Sequence, residues 1–244
     1  MADTPDSPPP AVPPASAAAW LWDWVKSILF ALVVWLFLRT FVIEAFHIPS
    51  PSMENTLLEG DFLFVNKFIY GSKLPFLNVW LPAWREPHRG DIVIFDSIEE
   101  DLKVVKRLIG LPGDTLQMVH GVVIRNGRRL DEPYTQNLSP DETAGAYYRD
   151  KMYNWQVHYL VGRDTAGYRP DLHDWGPVVV PKDSLFVMGD NRDSSYDGRY
   201  WGFLPRRNLR GTPLFIYYSY DMRSWKPLPG LTAIRWRRFF THPH

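Results

Sequence analysis

Gly90-Asp91-Ile92-Val93-Ile94-Phe95 joins a glycine-aspartate turn to a run of apolar residues, most of them β-branched. The same arrangement recurs at Gly60-Asp61 before residues 62–65 and at Gly113-Asp114 before residues 115–119. Glycine and aspartate favour tight turns, whereas β-branched and aromatic residues favour strands. The repeated pattern therefore predicts strands that are joined by turns.

Further strand signals follow along the chain. Asn126-Gly127 after residues 122–124 is typical of a β-hairpin. Three more apolar runs predict strands, at residues 178–180, 184–188 and 214–218. The region 131–176 interrupts this rhythm, because it is polar and aromatic with scattered glycine and proline, and it predicts an inserted region of loops with a small hairpin. We expect a mainly β, antiparallel domain over residues 44–244.

The N-terminal part of the chain has a different character. Residues 1–19 are rich in proline and alanine and predict a disordered tail, whereas residues 20–43 are overwhelmingly apolar. Their length matches the ~20 residues that cross a bilayer as a helix, and tryptophans lie near one end. We therefore predict a single transmembrane helix. A cleaved signal peptide is the alternative, but acidic residues precede the segment and no Ala-x-Ala site follows it. Charge alone leaves the orientation open.

Composition limits the possible chemistry. Lys+Arg and Asp+Glu are both 27, so the formal net charge is zero, and nucleic acid is disfavoured as a partner. The chain contains no cysteine, which excludes disulfides and thiolate nucleophiles. Any nucleophile must be an oxygen or an amine. The basic and aromatic segment 234–240 fits either an anionic lipid surface or an edge strand, and both readings stay open.

The segment Pro49-Ser50-Pro51-Ser52 connects the apolar N-terminal part to the β domain. Its prolines fix their own φ and favour extended conformations at the residues before them. Two interpretations are compatible with these residues alone. The segment is either a plain linker or a stiff stretch that holds the Ser52 hydroxyl in one orientation.

Two charged residues, Lys106 and Arg107, interrupt the apolar run that begins at Val104. Adjacent residues of a strand point to opposite faces, so we expect one of the two to be buried. A buried lysine is either paired with a carboxylate, which would be a structural role, or unpaired and neutral, which would be a catalytic one. The polar loop 189–202 is dense in hydrogen-bonding groups and fits a tightly cross-linked support for a site.

Four motifs occur together in order: Pro49-Ser-Pro-Ser-Met53 with Thr56-Leu57, then 90–95, then Lys106-Arg107 through 110–114, and finally 189–193 through Ser195 to 199–203. In this order, and after an apolar segment, they resemble the sequence boxes of bacterial type I signal (leader) peptidases, which are Ser-Lys serine proteases. The resemblance covers most of residues 20–240. The chain departs from the family pattern at Asn55, where proline is usual, and at Pro51, where glycine is frequent.

The resemblance implies a role for each matching residue. Ser52 is similar to the nucleophile and Lys106 to the general base. Ser195 is similar to the serine that orients the lysine, and Ser50 to a hydroxyl that joins the Ser52 N–H in an oxyanion hole. Two ion pairs would hold the polar loop, Arg107 with Asp190 and Asp197 with Arg199. Four residues are similar to the apolar lining of shallow substrate pockets: Phe46, Ile48, Leu57 and Val105.

As a function, the resemblance implies removal of signal peptides from exported preproteins, after small residues of the Ala-x-Ala type. The expected partners are preprotein signal peptides and membrane lipid, with no cofactor and no metal. The expected location is the plasma (inner) membrane, with a single span and the catalytic domain on the outer or periplasmic face. Two alternatives remain: a self-cleaving repressor-type Ser-Lys peptidase, which the apolar N-terminal segment disfavours, and a membrane-anchored β domain without enzymatic activity.

Overall fold

The computed structural model describes residues 17–37, 43–71, 82–136, 145–162 and 165–244. The chain divides into two compact units, residues 1–40 and residues 41–244. Most of the predicted disordered tail, residues 1–16, lies outside the described residues, and so does the segment 38–42 of the predicted transmembrane helix.

In the described part of the first unit, Ala17–Phe37 forms the helix α1. Its large apolar side chains are exposed, from Trp20 to Leu36. The predicted end of this helix at residue 43 is wrong, because Ile43 already pairs with Asn66 in an antiparallel ladder. Within the ranges that the structure describes, no helix combines the length and the hydropathy that crossing a membrane requires.

The second unit is built on a seven-stranded sheet in the order β1-β2-β11-β3-β4-β9-β10. Its strands are β1 (Ile43–His47), β2 (Asp61–Asn66), β3 (Ile92–Asp96), β4 (Lys103–Gly110), β9 (Ser184–Met188), β10 (Leu204–Pro205) and β11 (Leu209–Ser219). Every pairing between these strands is antiparallel. The prediction of a mainly β, antiparallel fold is therefore confirmed.

A second sheet of four strands has the order β7-β6-β5-β8. It consists of β5 (Thr115–Val119), β6 (Val122–Arg125), β7 (Arg128–Arg129) and β8 (Trp175–Val179). The predicted hairpin is confirmed: Asn126 and Gly127, both at positive φ, connect β6 to β7. Asparagine and glycine tolerate this left-handed conformation better than other residues.

The inserted region 131–176 differs from its prediction. It contains the helix α2 (Ala146–Gln156), whereas we expected loops and a small hairpin. Met152 and Gln156 lie one turn apart on the buried face of α2, and Trp155 packs against the same core. Aromatic residues of low helix propensity fill much of this segment, which concealed the helical pattern. Two further helices are short, α3 (Gly198–Trp201) and α4 (Pro229–Thr232).

Apolar side chains cover both faces of the strand β4. Val105 packs in one core cluster with Ile48 and Ile94, whereas Leu108 packs in another with Val93. Because the sheet is covered on both sides, Lys106 and Arg107 are both buried. The expectation that only one of them would be buried is wrong. Two buried cations on one strand need either partners or a neutral form.

Candidate active site

The turn that carries Ser52 is held at both ends. Ser50 is extended, and a single 3-10 turn, Pro51–Met53, follows it with proline at its first position. Met53 is fully buried and fixes the turn to the core. Behind the turn, the Ile48 N–H donates to Asp61 O at 2.9 Å, and the Gly60 N–H donates to Ile48 O at 3.0 Å. Ser52 is therefore part of a fixed turn rather than a linker.

Lys106 meets Ser52 in the interior. The Lys106 Nζ lies 2.6 Å from Ser52 Oγ, and the side chains are 3% and 6% exposed respectively. The hydrogen bond links residues that are 54 positions apart in the sequence. The lysine donates when it is charged, and the serine hydroxyl donates to Nζ when the amine is neutral. In the part of the chain that the structure describes, no carboxylate forms a salt bridge with Lys106.

The surroundings of Lys106 favour the neutral amine. Burial lowers the pKa of Lys106 from its usual 10.5 to about 8, since desolvation destabilises the cation. The positive charge of Arg199 lowers it further, while the charges of Asp197 and Asp190 oppose the shift. Desolvation is the largest of these effects. A neutral amine beside a serine hydroxyl can accept the hydroxyl proton.

Two further serines surround this pair. Ser50 Oγ lies 3.4 Å from Ser52 Oγ, so its hydroxyl is adjacent to the site. Ser195 is buried, but its Oγ has no hydrogen-bond partner, and the bond to Lys106 that the resemblance implied is absent. Ser195 Oγ lies close to Gly189, where a Cβ would be only 2.2 Å away.

Gly189 lets the polar loop approach the Ser52 turn closely. A Cβ at residue 189 would also lie 2.4 Å from the carbonyl oxygen of Ser52. That same carbonyl accepts a hydrogen bond from the Asn191 N–H at 3.1 Å. Because any side chain at 189 would push the loop away from the turn, glycine is a steric requirement here.

The ion pair between Asp197 and Arg199 fixes the loop from within. Both side chains are 0% exposed, and Arg199 Nε donates to Asp197 Oδ1 at 2.9 Å. Asp197 Oδ2 also accepts from the Gly189 N–H at 2.9 Å. Burial would raise the pKa of the Asp197 carboxyl, but Arg199 and these hydrogen bonds outweigh that effect and lower it. Asp197 thus connects the loop to the segment that touches Ser52.

Removal of the Asp197 carboxylate should destabilise the folded protein. We expect Asp197→Ala to lower the free energy of unfolding by about 3–5 kcal/mol, because it leaves the Arg199 cation buried without a counter-charge. Denaturant titration of the full chain in detergent measures the change. Glu86→Ala provides the control, since it removes the partner of Arg206 in a surface pair and should cost at most about 1 kcal/mol. Equal losses in both variants would contradict the role assigned to Asp197.

The second predicted ion pair is also present. Arg107 contacts Asp190 through two parallel bonds, Nε to Oδ1 at 2.8 Å and Nη2 to Oδ2 at 2.7 Å. Thr56 Oγ1 donates to Asp190 Oδ2 at 2.5 Å and accepts from Arg107 at 3.2 Å. The guanidinium also lies 3.8 Å from the centre of the Tyr134 ring. Arg107, next to Lys106 in β4, is thereby locked to the Ser52 turn and to the loop.

Sequence reasoning missed some of these contributors. Thr56 lies inside the quoted motif, yet nothing in the motif predicts that its hydroxyl would bridge Arg107 and Asp190. Tyr134 lies in the insertion, and no local pattern connects it with Arg107. Contacts between distant segments of this kind follow from the fold and not from spacing along the chain.

The four residues that were expected to line substrate pockets belong to one cluster. Ile48, Leu57 and Val105 are buried in it, and Phe46 packs against it while partly exposed. Met53, which follows Ser52, and Val105, which precedes Lys106, also belong to this cluster. The structure therefore brings the predicted apolar residues and the predicted reacting groups together.

Comparison with known proteins identifies the family of the chain. The model of the family described as signal peptidase, peptidase S26, matches residues 21–218. The chain belongs to this family. Signal peptidase I of Pseudomonas aeruginosa is 33% identical over 232 residues, covering 87% of this chain and 78% of the relative. The enzyme of Leptolyngbya laminosa is 35% identical over 233 residues, covering 89% and 93%, and that of Bacillus licheniformis is 36% identical over 203 residues, covering 82% and 90%.

A solved structure of a signal peptidase I from Enterococcus faecalis is also similar in sequence, at 27% identity. The alignment covers 52% of this chain and 97% of that one, with a TM-score of 0.35. Membership of the signal peptidase family is established by the sequence matches. The protein is accordingly a peptidase, which removes the alternative of a β domain without enzymatic activity.

The backbone conformation of Asn55 explains one departure of this chain from the signal peptidase pattern. Its φ is +87°, and its Nδ2 donates to the carbonyl oxygen of Tyr134 at 3.1 Å. Proline, which the pattern usually has at this place, fixes φ near −65° and cannot adopt this conformation. The turn after Ser52 therefore follows a path that asparagine permits, and it attaches there to the inserted region.

Proposed function

We propose that the chain is a membrane-anchored serine endopeptidase that removes signal peptides after small residues, with Ser52 as nucleophile and neutral Lys106 as general base. The observation that carries this proposal is the 2.6 Å contact between Lys106 Nζ and Ser52 Oγ in a buried environment. The lowered pKa of Lys106 supports it, because a base must be neutral to accept a proton.

The proposed reaction is acyl transfer. Ser52 Oγ attacks the peptide carbonyl carbon and its proton passes to Lys106 Nζ, so that an O–C bond forms as the carbonyl oxygen becomes negative. The C–N bond then breaks, and the Lys106 ammonium gives its proton to the leaving amine. Water attacks the resulting ester, Lys106 takes a proton from that water, and the proton returns to Ser52. The chemistry uses only these two side chains and water.

Ser50 and the Ser52 backbone are placed to stabilise the negative oxygen. Ser52 is the second residue of the 3-10 turn Pro51–Met53, and N–H groups at the start of a helical turn have no partner within it. The Ser50 hydroxyl lies beside Ser52 Oγ. Donors that meet a developing oxyanion are worth about 3–4 kcal/mol each. Ser195 is buried with a hydroxyl that has no hydrogen-bond partner, and it stays a proposed positioning residue for Lys106.

An extended substrate has two strand edges available. β1 is the outermost strand of the large sheet, and Lys103–Gly110 pairs with β9 only from Arg107 onward. Phe46 and Val105 lie in these unpaired segments; Val105 belongs to the apolar cluster, and Phe46 packs against it. A signal peptide that pairs with these edges would present alternate side chains to the cluster. Because Ile48, Leu57 and Val105 are already buried in the cluster, a small side chain such as alanine would pack against it with the least displacement.

Attachment to the membrane completes the proposal. Large apolar side chains of α1 are exposed, and so are several near the C-terminus of the second unit. Trp225, for example, is 93% exposed, and Trp236 and Phe240 lie close to Arg237 in the sequence. Exposed aromatic residues beside basic ones suit a bilayer surface. We place the enzyme at the plasma membrane, with the catalytic domain on the outer face and signal peptides as substrates.

The substrate preference provides the test. We expect the full chain in detergent to cut a preprotein at one bond that follows an Ala-x-Ala sequence, with product masses that locate the bond. Replacement of the alanine before the bond by tryptophan should lower kcat/KM about 10- to 100-fold or more, since a large side chain overfills a small space at a cost of about 1–3 kcal/mol. Equal cleavage of both preproteins, or cleavage at many bonds, would contradict the proposal.

A further inference from the structure

A tight turn at residues 132–135 begins the inserted region. The Thr135 N–H donates to the carbonyl oxygen of Glu132 at 3.1 Å, and the Thr135 hydroxyl donates to the same oxygen at 2.9 Å. Pro133 occupies the second position of the turn, where its fixed φ is favourable. The backbone of Tyr134, the third residue, is thereby held in one conformation.

This turn is fixed to the polar loop 189–202 by buried contacts. Glu132 Oε1 lies 2.5 Å from Arg192 Nη2, and the two side chains are only 8% and 2% exposed. The N–H of Gln136, just after the turn, donates to the carbonyl oxygen of Asp190 at 3.1 Å. The turn and the loop therefore form one connected structure.

Tyr134 contacts a neighbour of each reacting residue. Its carbonyl oxygen accepts a hydrogen bond from Asn55 Nδ2 at 3.1 Å, and its ring centre lies 3.8 Å from the guanidinium carbon of Arg107. Asn55 follows Ser52 by three residues, and Arg107 directly follows Lys106. A single residue of the inserted region is thus linked both to the segment of the nucleophile and to the strand of the base.

The Tyr134 ring is itself held in place. Its hydroxyl donates to Glu132 Oε1 at 2.9 Å, and burial together with the Glu132 charge raises the pKa of Tyr134, so the hydroxyl stays protonated. Asp190 occupies the edge of the Arg107 guanidinium through two parallel bonds. The aromatic ring takes the flat face of this buried cation, which is the geometry that such a pair prefers.

The reacting groups need a link of this kind. Ser52 and Lys106 lie 54 positions apart in the sequence, and their reaction depends on the 2.6 Å contact between them. A displacement of about 1 Å between reacting groups can lower a rate by about 100-fold. Because Lys106 and Arg107 point to opposite faces of β4, Tyr134 acts on Lys106 through the strand and not by direct contact.

We propose that Tyr134 is a positioning residue for the reaction, whose ring and carbonyl group hold the strand of Lys106 against the segment of Ser52. The inference rests on the proposed function and assigns a role in it to the inserted region. The ring acts through Arg107 and the carbonyl group through Asn55.

Substitutions of Tyr134 test the role of the ring. Tyr134→Leu keeps an apolar side chain but offers no aromatic face to Arg107, and we expect it to lower the single-turnover rate of Ala-x-Ala preprotein cleavage by about 10- to 100-fold. Tyr134→Phe keeps the ring and should stay within about threefold of the wild type. The full chain in detergent is used throughout. A leucine variant within threefold of the wild type, or a phenylalanine variant as slow as the leucine variant, overturns the inference.

The pH profile separates positioning from a general loosening of the site. In Tyr134→Leu the plateau rate should fall while the apparent pKa stays near 8, because the burial of Lys106 and the charges of Asp197, Arg199 and Asp190 that act on it are retained. The enzyme concentration that gives half of the maximal single-turnover rate should change less than about twofold. An apparent pKa that moves toward 10.5 would show that water has reached Lys106 and would contradict the proposal.

Asn55→Gly tests the other end of the link independently. Glycine accepts the backbone φ of +87° at this position, so the change removes the hydrogen bond to Tyr134 without straining the turn. We expect a loss of about tenfold or more. In the double variant Asn55→Gly with Tyr134→Leu, the loss should exceed that of the slower single variant by no more than about threefold, because one broken end already releases the link. Losses that multiply would contradict a single link through Tyr134.

Met152→Ala is the control for stability. Met152 is fully buried in α2 of the inserted region and belongs to a different core cluster from that of Met53 and Val105. Its truncation leaves a cavity and should lower the denaturant midpoint, yet the rate per folded molecule should stay within about twofold of the wild type. If Met152→Ala slows the single-turnover rate as much as Tyr134→Leu does, the role of Tyr134 is only structural and the inference is wrong.

The two proposals can fail separately. If the wild-type chain does not cut the preprotein, or if Ser52→Ala cuts it as well as the wild type does, the proposed function is wrong and the inference falls with it. If cleavage depends on Ser52 but neither Tyr134→Leu nor Asn55→Gly slows it, only the inference about Tyr134 is wrong.

Discussion

Replacement of Lys106 by methionine is expected to lower kcat for signal-peptide cleavage by about 10⁴-fold or more. Methionine has a similar length and fills the same buried space, but it cannot accept the proton of Ser52. Loss of one member of a nucleophile–base unit typically removes nearly all of the rate that the unit provides. Single-turnover cleavage of a preprotein, at enzyme in excess over substrate, measures the chemical step directly. Activity within tenfold of the wild type would contradict a base role for Lys106.

The dependence on pH separates this role from a structural one. The wild-type rate should rise through an apparent pKa of about 8 and then level off, because only the neutral amine accepts a proton. The stability of the folded protein should also depend on the protonation of Lys106. The unfolded chain keeps the usual pKa of 10.5, so it binds more protons than the native state between pH 8 and pH 10.5. The free energy of unfolding of the wild type should therefore increase by about 3 kcal/mol across this interval, at ~1.4 kcal/mol per pKa unit.

Lys106→Met should show neither effect. Its free energy of unfolding should lack this rise between pH 8 and pH 10.5 and should exceed that of the wild type near pH 7, where the native lysine must either bind a proton in the interior or release one. A variant that loses activity while it gains stability identifies a residue kept for chemistry. A wild-type rate that rises only above pH 10 would show that Lys106 is not held neutral.

Replacement of Ser52 by alanine is the second prediction, with an expected loss of about 10⁴- to 10⁶-fold in kcat. The change removes the only atom that can form the ester, so no acyl-enzyme should appear in mass spectra after rapid acid quenching. The turn itself should survive, because Met53 and the bonds of Ile48 and Gly60 hold it. We expect a stability change below about 1.5 kcal/mol, the size of one hydrogen bond.

Ser50→Ala is the matched control for Ser52→Ala. It removes a hydroxyl that lies 3.4 Å away in the same segment, so any general disturbance of the turn would be similar. The expected loss is only about 10²- to 10³-fold, the usual effect of one oxyanion donor, and the acyl-enzyme should still form. If the two variants lose activity equally, Ser52 is not distinguished as the nucleophile.

The strands were predictable because each begins at a local turn signal. The Gly-Asp pairs and the β-branched runs predicted β2, β3 and β5 to within one or two residues, and Asn126-Gly127 predicted the β6–β7 hairpin. Local patterns did not predict the helix α2, because its formation depends on tertiary contacts. The helix is stabilised by Met152, Gln156 and Trp155, which pack on a core built by other segments.

The same distinction between local patterns and tertiary contacts applies to the candidate active site. The residues of the motifs meet in the structure, with Lys106 at Ser52 and Arg107 at Asp190. The identity of the lysine's environment was not predictable, since burial on both faces of β4 depends on two separate core clusters. Asn55 illustrates the limit well. Its residue type marked a departure from the family pattern, but only the backbone conformation shows that proline could not take its place.

The unpaired edges of β1 and β4 also have a consequence for the protein in the absence of substrate. Unpaired backbone groups at a strand edge can pair with any extended chain, including the same edge of a second copy, which is how sheets self-associate. Charged side chains over an edge oppose such pairing, and Glu44 and Lys103 occupy that position here. The pair therefore opposes association of the sheet with another chain through these edges. A strand edge that is free to pair with a substrate must also be protected from pairing with other chains.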